Sequence, residues 1–450
     1  MAKKTNPTLN PFSILTPAFR SGSDTPREYL ERCIHVIEEH EETIGAFVTT
    51  NFNGARKAAD HSTQRWKTGT PLSLIDGMPV GVKDIMETAD MVTEQGSPLF
   101  QNWQMGRDCA AVSALREAGA VILGKTVTTE FAATQPRGTR NPCDLDRTPG
   151  GSSSGSAAAV GSGMIPGATA SQVIGSTIRP ASYCGAYGFK PSVGGINRGG
   201  SFDNFSQSCT GVIAANLTDT WLMARTMSEK IGGDPGYPGL LGPSNLPEEK
   251  TPQKIVILET AGWKSASDEA KSQMGFVRNK LADSNFELID RNSHKVVNSV
   301  EKEIENANLI SRSINAWEGR WPLNTYASDL NPEKLSPSAH ERLAQANDLD
   351  QAQYEKLLSQ RSDARTLYAQ LKNEGDLCIT LSAPAAAPVG LDWTGDPNFT
   401  VPTSLLGVPA ITLPVLKDEE LPLGLQLIGF VNEDANLFSL ARTISKIFNT

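Results

Sequence analysis

The sequence is poor in histidine, in paired cysteine and in clustered positive charge, and each shortage removes a class of function. Five histidines serve 450 residues. No HExxH pattern and no carboxylate-rich loop is present, so no metal site is indicated. The six cysteines (Cys33, Cys109, Cys143, Cys184, Cys209, Cys378) are scattered without a CxxC pair. Such spacing fits reduced thiols in a cytoplasmic protein better than a disulfide framework. Lysine and arginine together number 41 against 50 acidic residues, a net charge of −9, with no basic cluster. A nucleic acid or an anionic membrane surface needs a basic face, so neither is expected as a partner. No apolar run approaches the roughly 18 residues of a membrane span. The opening "MAKKTNPTLNPFSIL" carries two lysines with no apolar segment behind them, which argues against a secretory signal.

What remains is an ordinary soluble composition, 39% hydrophobic and 20% charged, on a chain long enough for a large core. Residues 25–66 read mostly as helices. In "TPREYLERCIHVIEEHEE" Thr25 is placed to cap, Pro26 sits in the first turn, and Tyr29, Leu30, Ile34 and Ile37 share a face. From Ile75 the texture alternates between glycine-broken strands and short helices as far as about Asn216, the pattern of a sheet covered by helices. Residues 221–375 are polar, charge-rich and helical in period. Strand-like segments then return over 376–450, in "DLCITLSA", "GVPAITLPV" and "PLGLQLIGF". The expected architecture is one α/β domain over 1–450, with a mixed, mostly parallel central sheet, helices on both faces and a helical insertion at 221–375.

Three local patterns carry candidate chemistry. "GAVILGKT" (119–126) matches GxxxxGK[ST] by letter, but its intervening residues are Ala, Val, Ile and Leu. These suit a buried strand rather than a phosphate loop, which makes Lys125 structural. "GSSSG" (151–155) matches GxSxG and would make Ser153 a nucleophile on an elbow. That chemistry requires a downstream histidine. His294, in "DRNSHKVV", and His340, in "SPSAHERLA", both read as solvated surface residues. A nucleophile without histidine needs another base, and a lysine held neutral by burial can serve. "PVGVKDI" offers Lys83 at the end of an apolar strand.

Lys83 in its Gly-Val-Lys-Asp context, the loop "PGGSSSG" and "GSTIRPASYCG" occur in this order, and together they resemble the amidase signature family of Ser-Ser-Lys hydrolases. The signature core spans 70–220, and "LDWTGDPNFTVPTSLLGVPAITLPV" is similar to the family's C-terminal part. The resemblance implies Lys83 as base, Ser152 as a relay serine behind a cis peptide, and Ser176 as nucleophile. It also implies an oxyanion hole of backbone amides at Val173, Ile174, Gly175 and Ser176, with Gly150, Gly151, Ser153 and Arg179 in support. Neither a metal nor another cofactor is implied.

The chain departs from the family's pattern in "SQVIGS", where Ile174 stands at a common glycine. Isoleucine is poorly suited to positive φ, which implies a reshaped oxyanion loop. Ser154 likewise replaces a common glycine. The function implied is cleavage of the amide, carbamate (urethane) or ester bond of a small neutral substrate by a monomer or homodimer. Its specificity would come from 130–140 and from the helical insertion. Two other readings stay open: the glutaminase subunit of a tRNA-dependent amidotransferase, whose Gly-Ser-Asp-Thr-Gly-Gly-Ser pattern differs from "SQVIGS", and a non-catalytic subunit.

Overall fold

The structure is a computed structural model and describes residues 7–448; Lys3 and Lys4 of the opening stretch lie outside the described residues. Eleven strands form one sheet: β1 (Phe47–Thr50), β2 (Pro79–Lys83), β3 (Val121–Thr126), β4 (Gly167–Gln172), β5 (Tyr187–Lys190), β6 (Cys209–Ala214), β7 (Lys254–Ile257), β8 (Glu287–Ile289), β9 (Leu377–Leu381), β10 (Ala410–Asp418) and β11 (Leu421–Ile428). Their spatial order is β1-β3-β2-β4-β6-β5-β10-β11-β9-β7-β8, with helices packed around them.

The expected α/β sheet covered by helices is present, but it is not mostly parallel. β3-β2-β4 and β9-β7-β8 are parallel runs. The six other pairings are antiparallel. For β10 and β11 the reason is connection length: they are joined by two residues, too few for the crossover that parallel neighbours need. The charge-rich stretch 221–375 is also not purely helical, since it contributes β7 and β8 to one end of the sheet.

Local chemistry explains the elements that frame the site. Thr25 Oγ1 accepts the Glu28 amide at 3.1 Å and starts the helix Pro26–Ile44, as its sequence predicts. "SGSAAAVG" forms the helix Ser154–Gly161, buried on every side. Only small residues allow that approach, because a Cβ on Gly155 would lie 2.1 Å from the Ala46 carbonyl oxygen. "GAVILGKT" becomes the buried β3 and not a phosphate loop. Lys125 Nζ there lies 3.0 Å from Asp84 Oδ1 and donates to Thr93 Oγ1 at 2.6 Å, a structural pairing inside the core.

Candidate active site

The parallel strands β2 and β4 run side by side, with Gly81 opposite Ala168. Continuing that register carries Lys83, the last residue of β2, toward Ser171 near the end of β4. Its backbone amide donates to Thr169 Oγ1 at 3.0 Å, which fixes the strand end. Functional groups in sheets of this kind gather at the carboxyl ends of parallel strands, and Lys83 sits at such an end.

Its side chain is wholly buried. Nζ lies 2.8 Å from Ser152 Oγ and 2.8 Å from Ser171 Oγ, with no carboxylate in salt-bridge range among the described residues. Burial pushes the ammonium down to about 7, opposed by the more distant charge of Asp203. A lysine in this state offers a lone pair near neutral pH.

Ser152 follows a cis Gly151–Ser152 peptide. Gly150 has a φ of +81°, a conformation that excludes side chains. At Gly151 the reason for glycine is space, because a Cβ would approach Thr394 Cγ2 to 2.7 Å. The "GGSSSG" run is therefore a rigid, buried turn rather than a linker. Ser153 faces away from the chemistry: its hydroxyl is buried and packs on β4 at 3.4 Å from both the Ser171 amide and the Ser171 carbonyl. Nor do His294 and His340 line the pocket. His294 lies 3.2 Å from Glu374, and His340 Nε2 is 3.1 Å from the Pro332 carbonyl oxygen.

The loop from Val173 to Ser176 lines a pocket that it shares with Phe131, Arg179 and Thr394. Its carbonyls are tied outward: Gln207 Nε2 donates to Val173 O at 3.2 Å, Ser404 Oγ to Ile174 O at 3.2 Å, and the Arg179 amide to Gly175 O at 3.1 Å. The amides of Val173, Ile174, Gly175 and Ser176 donate to no partner among the described residues. Gly175 and Ser176 are buried and Val173 and Ile174 half-buried, so this run leaves four successive amides free to donate to an oxygen bound in the pocket. Ile174 is absent from the positive-φ residues, so the isoleucine imposes no backbone penalty there. Ser176 is nearly buried, and its hydroxyl makes no hydrogen bond among the described residues.

Two residues of the site escaped sequence reasoning. Ser171 is the second partner of Lys83. Gln172 Oε1 accepts the amides of Thr177 and Ile178 at 3.0 and 3.1 Å, while its Nε2 donates to Ser404 Oγ at 3.2 Å. It thereby curls the chain from β4 into the helix Ile178–Tyr183 and shapes the amide loop between them. Both stand inside "SQVIGS", but their partners are set by neighbouring strands.

Arg179 braces the turn behind Ser152. It donates through Nη2 to the Gly151 carbonyl at 2.8 Å and through Nε to the Thr394 carbonyl at 2.7 Å. Burial pushes its guanidinium down to about 10. The pocket walls come from Phe131 to Thr134, from the helical insertion (Arg312, Asn315, Ala316, Arg342, Gln345) and from Trp393 to Gly395. Phe131 and Ala132 hold positive φ values of 49° and 53°, strain of a kind that gathers at functional sites.

The site thus gathers a serine hydroxyl and a run of free amides at one pocket, with a wholly buried lysine bonded to Ser152 nearby, groups of the kind that serine hydrolases use. The family model described as Amidase matches residues 28–438, and the chain belongs to the amidase family. Among curated relatives, a glutamyl-tRNA(Gln) amidotransferase subunit of Endomicrobium trichonymphae is 29% identical over 469 residues, covering 96% of each chain. A fatty acid amide hydrolase of Medicago truncatula is 29% identical over 463 residues, covering 96% of this chain and 75% of that one. A solved amidase structure superposes with a TM-score of 0.82 at 24% identity, over 96% of this chain and 98% of the other, a likeness of fold. No helix among the described residues is long and apolar enough to cross a membrane.

Proposed function

We propose that this chain hydrolyses the amide bond of small substrates through a Lys83–Ser152–Ser176 relay and an acyl-enzyme on Ser176. The observation that carries the reading is Lys83 Nζ, wholly buried at 2.8 Å from Ser152 with no carboxylate paired to it. The Nζ lone pair takes the Ser152 proton as Ser152 takes the Ser176 proton. Ser176 Oγ then bonds to the carbonyl carbon, and the carbonyl electron pair moves onto oxygen, facing the amides of 173–176. Collapse breaks the C–N bond, and the proton returns through Ser152 to the departing nitrogen. Water repeats the path on the acyl-enzyme and regenerates Ser176. Carbamates and esters present the same carbonyl and fall within this chemistry. Each proton transfer is assigned to a side chain, so the proposal calls for no metal or other cofactor.

The names of several relatives favour a second reading, a glutaminase component handing ammonia to a partner. Glutamine carries an ammonium group, and no Asp or Glu lines the pocket to receive it, which supports the first reading. The test is turnover of a panel of anilides, esters and carbamates by wild type, Ser176→Ala and Ser153→Ala. Loss of about a thousandfold or more is expected in Ser176→Ala, with Ser153→Ala much milder. Wild-type rates in Ser176→Ala refute the assignment.

A further inference from the structure

The pocket beside Ser176 is cationic, in contrast to the neutral site that the flanks of the motifs suggest. Three arginines line it, Arg179, Arg312 and Arg342, and no aspartate or glutamate does. Arg312 is exposed at the surface and Arg342 partly buried. The Arg312 Nε donates to Asn308 Oδ1 at 2.9 Å, while Arg342 makes no hydrogen bond or ion pair among the described residues. Two carboxylates act on these guanidiniums through space, Asp396 on Arg179 and Arg312 and Glu130 on Arg342, but neither forms an ion pair with them among the described residues. Asp396 accepts from Ser265 Oγ and the Asn398 amide, each at 2.8 Å, and Glu130 accepts from Ser97 Oγ at 2.9 Å and the Ser336 amide at 3.2 Å.

Two buried polar groups in the same lining are also left without partners. Arg179 is 5% exposed and its Nη1 has no acceptor. Asn315 is 8% exposed, and neither its Nδ2 nor its Oδ1 is paired. Buried polar atoms are nearly always satisfied, so three unpaired atoms on two residues that line one pocket mark a place where a ligand can supply partners once those side chains turn toward it. What they lack is mainly acceptors, with one donor wanted by Asn315 Oδ1. A secondary amide bearing a carboxylate brings both.

Resting on the hydrolytic reading above, we infer that the preferred substrate is an amide carrying a carboxylate a few bonds from the scissile carbonyl, held by Arg342 and Asn315 with Arg312 at the entrance. Guanidinium–carboxylate pairing in a partly dry pocket is among the stronger polar contacts, and it selects for charge rather than bulk. The carboxylate can belong to the acyl part or to the leaving amine, and matched probes separate the two.

Binding is measured on full-length Ser176→Ala by calorimetry, so that no turnover is required. Succinic acid monoanilide against butyranilide reports the acyl side, and 3-acetamidobenzoate against acetanilide the leaving-group side. At least one carboxylated probe is expected to bind about tenfold or more tighter than its neutral counterpart, and Arg342→Gln or Asn315→Leu is expected to erase most of that ratio. Glutaramate, which lacks the ammonium of glutamine, is expected to bind more tightly than glutamine. Equal binding within both pairs overturns the inference, as does a preference that survives both substitutions, or glutamine binding tighter than glutaramate. Wild-type turnover of the same compounds is read separately. If none is hydrolysed while the carboxylate preference persists, the hydrolytic reading fails and the carboxylate-binding pocket stands.

Discussion

The buried lysine predicts a pH-dependent stability that can be isolated by substitution. Lys83 sits at about 7 in the fold because burial disfavours its charge, against about 10.4 in an unfolded chain. Between those values the unfolded chain holds a proton that the native protein lacks, so stability rises with pH there. Below about pH 7 both states are protonated and this contribution is flat. Each pH unit in the window is worth about 1.4 kcal/mol, and integrating from pH 6 to pH 9 gives roughly 2.6 kcal/mol. Lys83→Met keeps the chain's length and removes the titration. It also leaves the Ser152 and Ser171 hydroxyls to find new partners, at a cost of about 1–3 kcal/mol for each that fails.

That second cost does not vary with pH, so the difference between the two proteins separates the terms. Relative to wild type, Lys83→Met is expected to lose about 2.6 kcal/mol of stability between pH 6 and pH 9, in equilibrium urea denaturation. Groups such as Asp84 and Lys125 titrate in both proteins and cancel to first order. The same ionisation governs turnover. Wild-type kcat/KM is expected to climb tenfold per pH unit below about 7 and to level off above it, whereas Lys83→Met is essentially inactive. A stability difference that stays constant across the range refutes a neutral Lys83, and an activity limb at 7 would then belong to another group.

Three further outcomes are expected. Ser171→Ala removes an acceptor that the charged lysine needs more than the neutral one, so the ascending limb of kcat/KM moves about half a unit to one unit lower while kcat falls about tenfold; an unchanged limb argues against Ser171 as a partner. Gln172→Leu frees the amide loop, and kcat with an anilide is expected to drop about a hundredfold with a smaller change in KM, a split that steady-state kinetics reads directly. Activity is expected to survive prolonged EDTA, and loss restored by added zinc would contradict the side-chain relay.

The residues whose roles depend on local backbone were legible in the sequence. Gly150 and Gly151 announce a turn that excludes side chains, and the order of Lys83, Ser152 and Ser176 is carried by short motifs. The roles of Ser171 and Gln172 were not legible, though the residues stand in the quoted "SQVIGS". Ser171 matters because β4 lies beside β2, and Gln172 because Ser404 arrives from far along the chain. Strand direction was misjudged for a related reason. Alternating helix and strand signals suggest crossovers, but they do not report that β6 returns between β4 and β5, antiparallel to both. β8, only three residues long with one buried, carries too little pattern to stand out from the helices around it.

The same distinction bears on how the site divides its work. Lys83 and Ser171 are side chains of adjacent strands, held by backbone pairing in the middle of the sheet, and both are almost wholly buried. Arg312 and Arg342 project from separate helices of the insertion, Ala307–Glu318 and Pro337–Asn347, which supply no strand to the sheet. Displacing a relay atom by an ångström would break a proton path, whereas a long arginine side chain can follow a carboxylate through its own rotamers. The fold therefore puts the groups that need fixed distances on the sheet and those that need reach on the insertion. On this division the insertion can change which amide is taken without disturbing how it is cut. The reading of the motifs alone missed the pocket's charge for that reason: of its three arginines only Arg179 stands within a motif, and Arg312 and Arg342 lie more than a hundred residues beyond Ser176.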